Sequence, residues 1–233
     1  MNTTHDPFPG FPAGTPGFLA ELERNNDRAW FEANRARYEA LVRTPALDFI
    51  AAMADPLSGF APRFTAVAKK SGGSLMRVHR DVRFSRDKRP YKTNVGIQFR
   101  HELGRDVHAP GYYVHIDPRE VFLGVGCWRP DPVALAAIRR RLAEHPGDWL
   151  RAVADEDFAA GFELAGEALR RPPKGFDAAH PLVEDLKRKD YVAVRRLDPA
   201  SIHGPGFLDE VVDAFTVAGP FMGFLCRALG TPA

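Results

Sequence analysis

Cysteine is scarce in this chain: Cys127 and Cys226 are the only two among 233 residues. They lie far apart without metal-ligand spacing, which argues against a disulfide framework and leaves both as expected core thiols. Long hydrophobic runs are missing too. The longest apolar stretch without a charge, Ala214 to Cys226, falls short of a bilayer span and reads as a buried helix. The N-terminal "MNTTHDPFPGFPAGTP" has neither the basic start nor the apolar run of a secretion signal, so the expectation is a cytoplasmic protein with no membrane association. Net charge is only +2, too little for a global argument about nucleic acid. Twenty prolines and twenty glycines are scattered rather than repeated, which excludes collagen-like and low-complexity chains.

Several catalytic signatures are also absent. His79, Arg80 and Asp81 spell the start of a protein-kinase catalytic loop, but Arg86 stands where that loop needs an asparagine for its second magnesium. No Asp-Phe-Gly follows. "GVGCWRP", from Gly124, lacks the third glycine and the βαβ setting of a dinucleotide site, so Gly124 and Gly126 read as points of close approach within a strand and Trp128 as a core aromatic. Neither a nucleophile elbow nor a Cys-His pair is found.

What is present suits a folded chain: 45% hydrophobic and 27% charged residues give ample material for a core, read as one domain over 1–233 with 1–13 extended or loosely ordered. Thr15-Pro16, Asn26 and Thr44-Pro45 are start signals for three helices, whose apolar residues recur at three- and four-residue intervals through Phe18, Leu22, Phe31, Tyr38, Phe49 and Met53. From about Arg63 the period becomes two. Met76, Val78, Val82 and Phe84 alternate with Arg77, His79, Asp81 and Arg83; Val95, Ile97 and Phe99 follow the same rule, and "YYVHI" with "VFLGV" predicts a hairpin turning at Pro118. Asp131-Pro132 opens another helix, a shorter one follows near Asp148, Pro181 to Lys189 reads as helix, "YVAVRRL" as strand, and Phe207 to Leu229 as a broken terminal helix. The expected class is α+β: N-terminal helices, a central mainly antiparallel sheet, then C-terminal helices.

Charge is unevenly distributed. Between Lys69 and Arg100 ten Lys and Arg face only Asp81 and Asp87, so this window carries +8 and the rest of the chain −6. Strand alternation puts Arg80 on the apolar face with Val78 and Val82, where a guanidinium requires a carboxylate, backbone carbonyls or a bound anion. Arg77, Arg80, Arg83, Lys88, Tyr91 and Lys92 are the candidate anion ligands, because cations neutralise phosphates and an aromatic face stacks on bases or sugars. A solvated hairpin rim explains the same letters. Asp81 and His79 are candidates for proton transfer, and Lys174 is a further possible cation. His79 with Asp81, and His115 with Asp117, are two His-x-Asp pairs; a metal site would need all four to converge, but the expectation is that they are surface pairs that do not, and no metal ligand is assigned.

Four blocks carry a resemblance: "FLAELERNNDRAWFEANRARYEALV", "RDVRFSRDKRPYKTNVGIQF", "GYYVHIDPREVFLGVGCWRPDP" and "RRPPKGFDAAHP". In that order they resemble the bacterial and fungal proteins grouped as the domain of unknown function 2461 family. The resemblance covers nearly the whole chain and implies a single cytoplasmic domain. That family has no assigned reaction, so the resemblance supplies no catalytic residue and no cofactor. Two functional readings stand side by side. The basic segment binds a phosphorylated small molecule or nucleic acid, or it is structural and docks an acidic protein partner without any small-molecule site.

Overall fold

The computed structural model describes residues 8–104 and 110–232, and the structural statements below concern those residues. The extended or loosely ordered start expected over 1–13 falls in part on residues 1–7, outside this range. From Phe8 onward the segment is irregular in backbone but anchored: Phe8 and Phe11 are buried, and the Phe11 amide donates to the Ile202 carbonyl at 2.6 Å.

The opening helices are α1 (Gly14–Arg24), α2 (Arg28–Ala33), α3 (Arg35–Tyr38), α4 (Thr44–Ala52) and α5 (Ala54–Phe60). Local start signals explain only part of this. Thr15 lies inside α1, fully buried, and its hydroxyl donates to the Leu41 carbonyl at 2.6 Å, tying two helical stretches together instead of capping one. Asp27, not Asn26, caps α2 by accepting from the Trp30 amide. Pro45 opens no separate helix, because α3 continues into α4 through a π turn over Glu39–Arg43. A wider turn tolerates a residue that lacks an amide donor.

Six strands, β1 (Phe64–Thr65), β2 (Val95–His101), β3 (Gly111–Ile116), β4 (Val121–Cys127), β5 (Glu163–Ala165) and β6 (Tyr191–Leu197), form one antiparallel sheet in the order β1-β2-β3-β4-β6-β5. The β3–β4 hairpin turns through Asp117 to Glu120, as the sequence predicts. The remaining helices are α6 (Pro132–Glu144), α7 (Pro146–Val153), α8 (Glu156–Gly161), α9 (Val183–Leu186), α10 (Phe207–Val217) and α11 (Gly219–Ala228). Asp131 caps α6 through the Val133 and Ala134 amides. The α+β class therefore holds. No single helix among these residues is long and apolar enough to cross a membrane; α10 and α11 bend by 50° relative to each other, and α11 packs on β4.

Burial divides the sheet into two faces. Val95, Ile97, Phe99, Tyr112, Val114, Ile116, Leu123, Val125 and Ala193 point into the helical layer and are almost fully buried beside Phe215, Phe221 and Trp149. Each such large side chain contributes about 1.5–3 kcal/mol on leaving water. The intervening residues must then point the other way. On that second face the register aligns Gly96, His115, Phe122 and Arg196 in one row, Gln98, Tyr113, Gly124 and Val194 in the next, and Arg100, Gly111, Gly126 and Val192 in a third.

The strand expected over 76–84 is only half formed. Bridges join Leu75 to Ile97 and His79 to Tyr91, and the last ladder bond runs from the Arg80 amide to the Pro90 carbonyl at 2.8 Å. Pro90 has no amide to return, so pairing stops there. Beyond it the chain is irregular, and Phe84, expected on the apolar face, is 94% exposed. The Asn26 side chain pins the returning strand by a pair of 3.0 Å bonds to the Tyr91 backbone.

Gly126 has φ +115°, and a methyl group there would run into the Tyr191 carbonyl. Gly126→Ala is expected to lower stability in a denaturant titration by about 1–3 kcal/mol from backbone strain alone. Gly17→Ala, on the exposed side of α1 with open space around it, is expected to raise stability by about 0.5–1 kcal/mol. Equal effects of the two would contradict the packing described.

Candidate functional site

The second face of the sheet is hollow where side chains are missing. Gly111 pairs directly with Gly126, and Gly124 lies two residues along the same strand, so three adjacent positions on this face carry no side chain. Around them Met76, Gln98, Tyr113, Phe122, Trp128 and Val194 wall a pocket of about 370 Å³. The walls are mostly apolar. Trp128, read from the sequence as a core aromatic, is instead 48% exposed at the rim. Its segment is held by Asp190, a buried carboxylate that accepts from the Arg129 amide at 2.7 Å and the Glu167 amide at 2.9 Å.

Polar groups gather along the row beside the hollow. Between its two bridges one strand advances from 75 to 79 while its partner retreats from 97 to 91, four residues against six, so the partner bulges at Thr93 and Asn94. The bulge brings Asn94 Nδ2 to 3.4 Å from His115 Nδ1, which also lies 3.0 Å from the Tyr113 hydroxyl. Phe122 stacks on the His115 ring at 4.4 Å, fixing its plane. On the far side His115 Nε2 faces Asp117 Oδ2 at 3.5 Å. Burial lowers the His115 pKa, opposed by the Asp117 charge, so the ring is neutral near pH 7. Burial pushes the Tyr113 hydroxyl up to about 12, against the Asn94 hydrogen bond, so it stays a phenol. At Asp117 burial works upward, but the Arg119 and Glu120 amides, together with His115, hold the carboxyl below its usual range.

The residues singled out in the basic segment separate into groups. Lys92 reaches the pocket wall: its Nζ lies 3.8 Å from Met76 Sδ, and burial, then the Arg77 charge, lower its pKa. Arg77 is exposed beside Met76 and makes no ion pair among the described residues. Arg80 finds the partner that its position demanded, donating to Asp87 at 2.7 Å and to the Arg89 carbonyl at 3.2 Å. It is not deeply buried, keeping 27% of its side chain exposed. Arg83 pairs with Asp81, whose carboxyl it draws down to about 2. The Lys88 ammonium donates to the Val82 carbonyl. Tyr91 is buried and stacked on Phe31 at 4.1 Å. None of Arg77, Arg80, Arg83, Lys88, Tyr91 and Lys92 lines the pocket itself, Lys92 touching it only through Met76, and Lys174 is exposed in a turn outside it.

His79 packs near Phe31 and Tyr91, and neither it nor Asp81 belongs to the cluster of possible metal ligands that the described residues form around His115 and Asp117. Glu120 takes that place. The sequence reading passed over Asn94, Tyr113, Phe122 and Glu120. Alternation along the predicted hairpin already placed Tyr113, His115, Phe122 and Gly124 opposite the apolar positions, a signal that marks a second face without saying whether it is covered.

An antiparallel sheet with helices on one face and an aromatic-walled hollow on the other defines the protein as an α+β protein with a concave open-face site. The chain belongs to the family described as Conserved hypothetical protein (DUF2461), whose sequence model matches residues 15–224. No curated protein matches it.

Two measurements probe this site and its neighbouring loop. In an NMR titration of labelled lysine side chains, Lys92 is expected to titrate below 10.5, and Arg77→Gln to move its midpoint upward by removing a like charge. A midpoint at or above 10.5 in the wild type would refute the burial. For the loop, Arg80→Ala and Arg83→Ala are each expected to lower the denaturant midpoint slightly and similarly, with both losses shrinking in high salt, because the two pairs are solvent-accessible.

Proposed function

We propose that the protein binds a small organic anion, with the apolar body of the ligand in the glycine-floored pocket and its carboxylate or phosphate directed to Lys92 and Arg77. The observation that carries this reading is the hollow itself: a 370 Å³ concavity with apolar walls and few polar groups is the usual form of a small-molecule site. Lys92 supports the anionic end, since a half-buried ammonium beside Met76 and near a second cation gains from any negative charge that arrives there. Tyr113, kept protonated, holds its hydroxyl on the same side, near Met76 and against His115 Nδ1. A phosphorylated small molecule fits this arrangement better than nucleic acid, because four cations of the loop, Arg80, Arg83, Lys88 and Arg89, are already spent on Asp81, Asp87 and backbone carbonyls.

One observation favours the docking alternative. Phe84 is 94% exposed on a loop rich in arginine, an arrangement that suits an acidic protein partner with an apolar residue.

The two readings separate by experiment. Aromatic and aliphatic carboxylates and phosphates are screened by thermal shift against wild type, Gly124→Val and Lys92→Gln. The Gly124 position leaves 3.6 Å to Tyr113, so valine adds bulk to the hollow without striking the backbone. A true ligand at about 100 times its Kd is expected to stabilise wild type by roughly 2.7 kcal/mol, with the gain reduced in both variants. If no compound protects wild type better than Gly124→Val, the pocket reading is wrong. Loss of an acidic partner on Phe84→Ser would then favour docking.

A further inference from the structure

The hairpin turn beside the pocket presents three donors of different kinds on one side: the His115 ring, the Asp117 carboxylate and the Glu120 carboxylate, whose ligand atoms all lie within 4.8 Å of one another. The separation between His115 Nε2 and Asp117 Oδ2 is informative. At 3.5 Å it is longer than the about 2.7–3.2 Å of a good N–H···O bond. Two donors about 2.0–2.2 Å from a tetrahedral ion stand about 3.4 Å apart. We infer that His115, Asp117 and Glu120 form a site for a divalent transition metal ion, with the remaining coordination positions open to water or an anion.

The surroundings of each donor fit that role. Asp117 Oδ1 accepts from the Arg119 amide at 2.7 Å and the Glu120 amide at 2.8 Å, which leaves Oδ2 for the ion. The ring of His115 is held by Phe122 on its face and by Tyr113 at Nδ1, the kind of outer contact that orients a ligating imidazole. Glu120 is exposed and free to swing inward. Arg119, between the two carboxylates in sequence, turns away to pair with Glu23 and does not compete.

One imidazole and two carboxylates, without thiolate, select a borderline or hard ion, zinc ahead of manganese in affinity. Binding needs the Nε2 lone pair. The Asn94 amide nitrogen facing Nδ1 favours a ring proton on Nε2 in the free protein; metal binding moves it to Nδ1, where the Tyr113 oxygen accepts it, and the ring stays neutral. The three ligands lie outside the pocket lining, although Tyr113 and Phe122 border both, and Lys92 and Gly124 take no part in the metal site.

Untagged, chelator-treated full-length protein is titrated calorimetrically with Zn2+ and with Mn2+. The expected result is one ion per chain, at least tenfold weaker binding in Glu120→Gln, no binding in His115→Gln, and wild-type binding in His79→Gln. Nitrogen NMR of His115 is expected to show the two ring nitrogens exchanging roles on zinc addition. Glu120 is exposed, so Glu120→Gln is expected to melt like wild type in the presence of chelator, which keeps the comparison valid. Equal affinity in wild type and Glu120→Gln, binding well below one ion per chain, or His115 signals indifferent to zinc would each overturn the proposal.

Discussion

A β-strand repeats every two residues, and here only one face of the sheet is sealed by helices. Every residue that follows an inward Val95, Ile97, Val114, Leu123 or Ala193 is thereby committed to the other face. Because β2, β3, β4 and β6 are locked in one antiparallel register, these second-face residues stand in rows across the sheet rather than scattered along it. A slip of one residue would exchange the two faces and bury His115 while exposing Val114. The hollow exists because one of those rows sets Gly111 beside Gly126 and the adjacent row holds Gly124, and the polar row exists because the next contains His115.

The bulge at Thr93 and Asn94 has the second largest consequence. It lets the segment from Ser74 to Arg80 follow the β2 edge while carrying Asn94 toward His115 and Lys92 toward Met76. The Asn26 bonds to the Tyr91 backbone and the stacking of Tyr91 on Phe31 fasten that edge to α2. Site and helical layer are thus joined through Tyr91, whose ring supports the scaffold.

Electrostatics in the basic segment is largely internal. Asp87 is held well below the usual carboxylate range by Arg89 first, through side chain and amide, and then by Arg80, while Asp81 answers Arg83. Such solvent-accessible pairs add little stability, yet they give an otherwise irregular loop a preferred shape. Lys92 differs in kind, because its environment disfavours its charge instead of neutralising it.

The α+β class, the β3–β4 hairpin and the Asp131 cap were all legible from residue order, since they depend on contacts between near neighbours and on periodicity. Strand alternation over 76–84 misled, because hydrophobic period cannot report that Pro90 ends the ladder on the opposing strand and leaves Phe84 in solvent. Thr15 and Asn26 likewise had the letters of caps but are drawn to Leu41 and Tyr91, partners that lie 26 and 65 residues away. The site was the least legible part. By itself the sequence determined that one set of strand residues faces inward and another outward; only the tertiary structure decided that Gly111 meets Gly126, that Asn94 reaches His115 and that Trp128 stays at a rim. The physical reason is that inward or outward direction follows from a two-residue period within one strand, whereas a cavity is a relation between strands whose register no local pattern specifies.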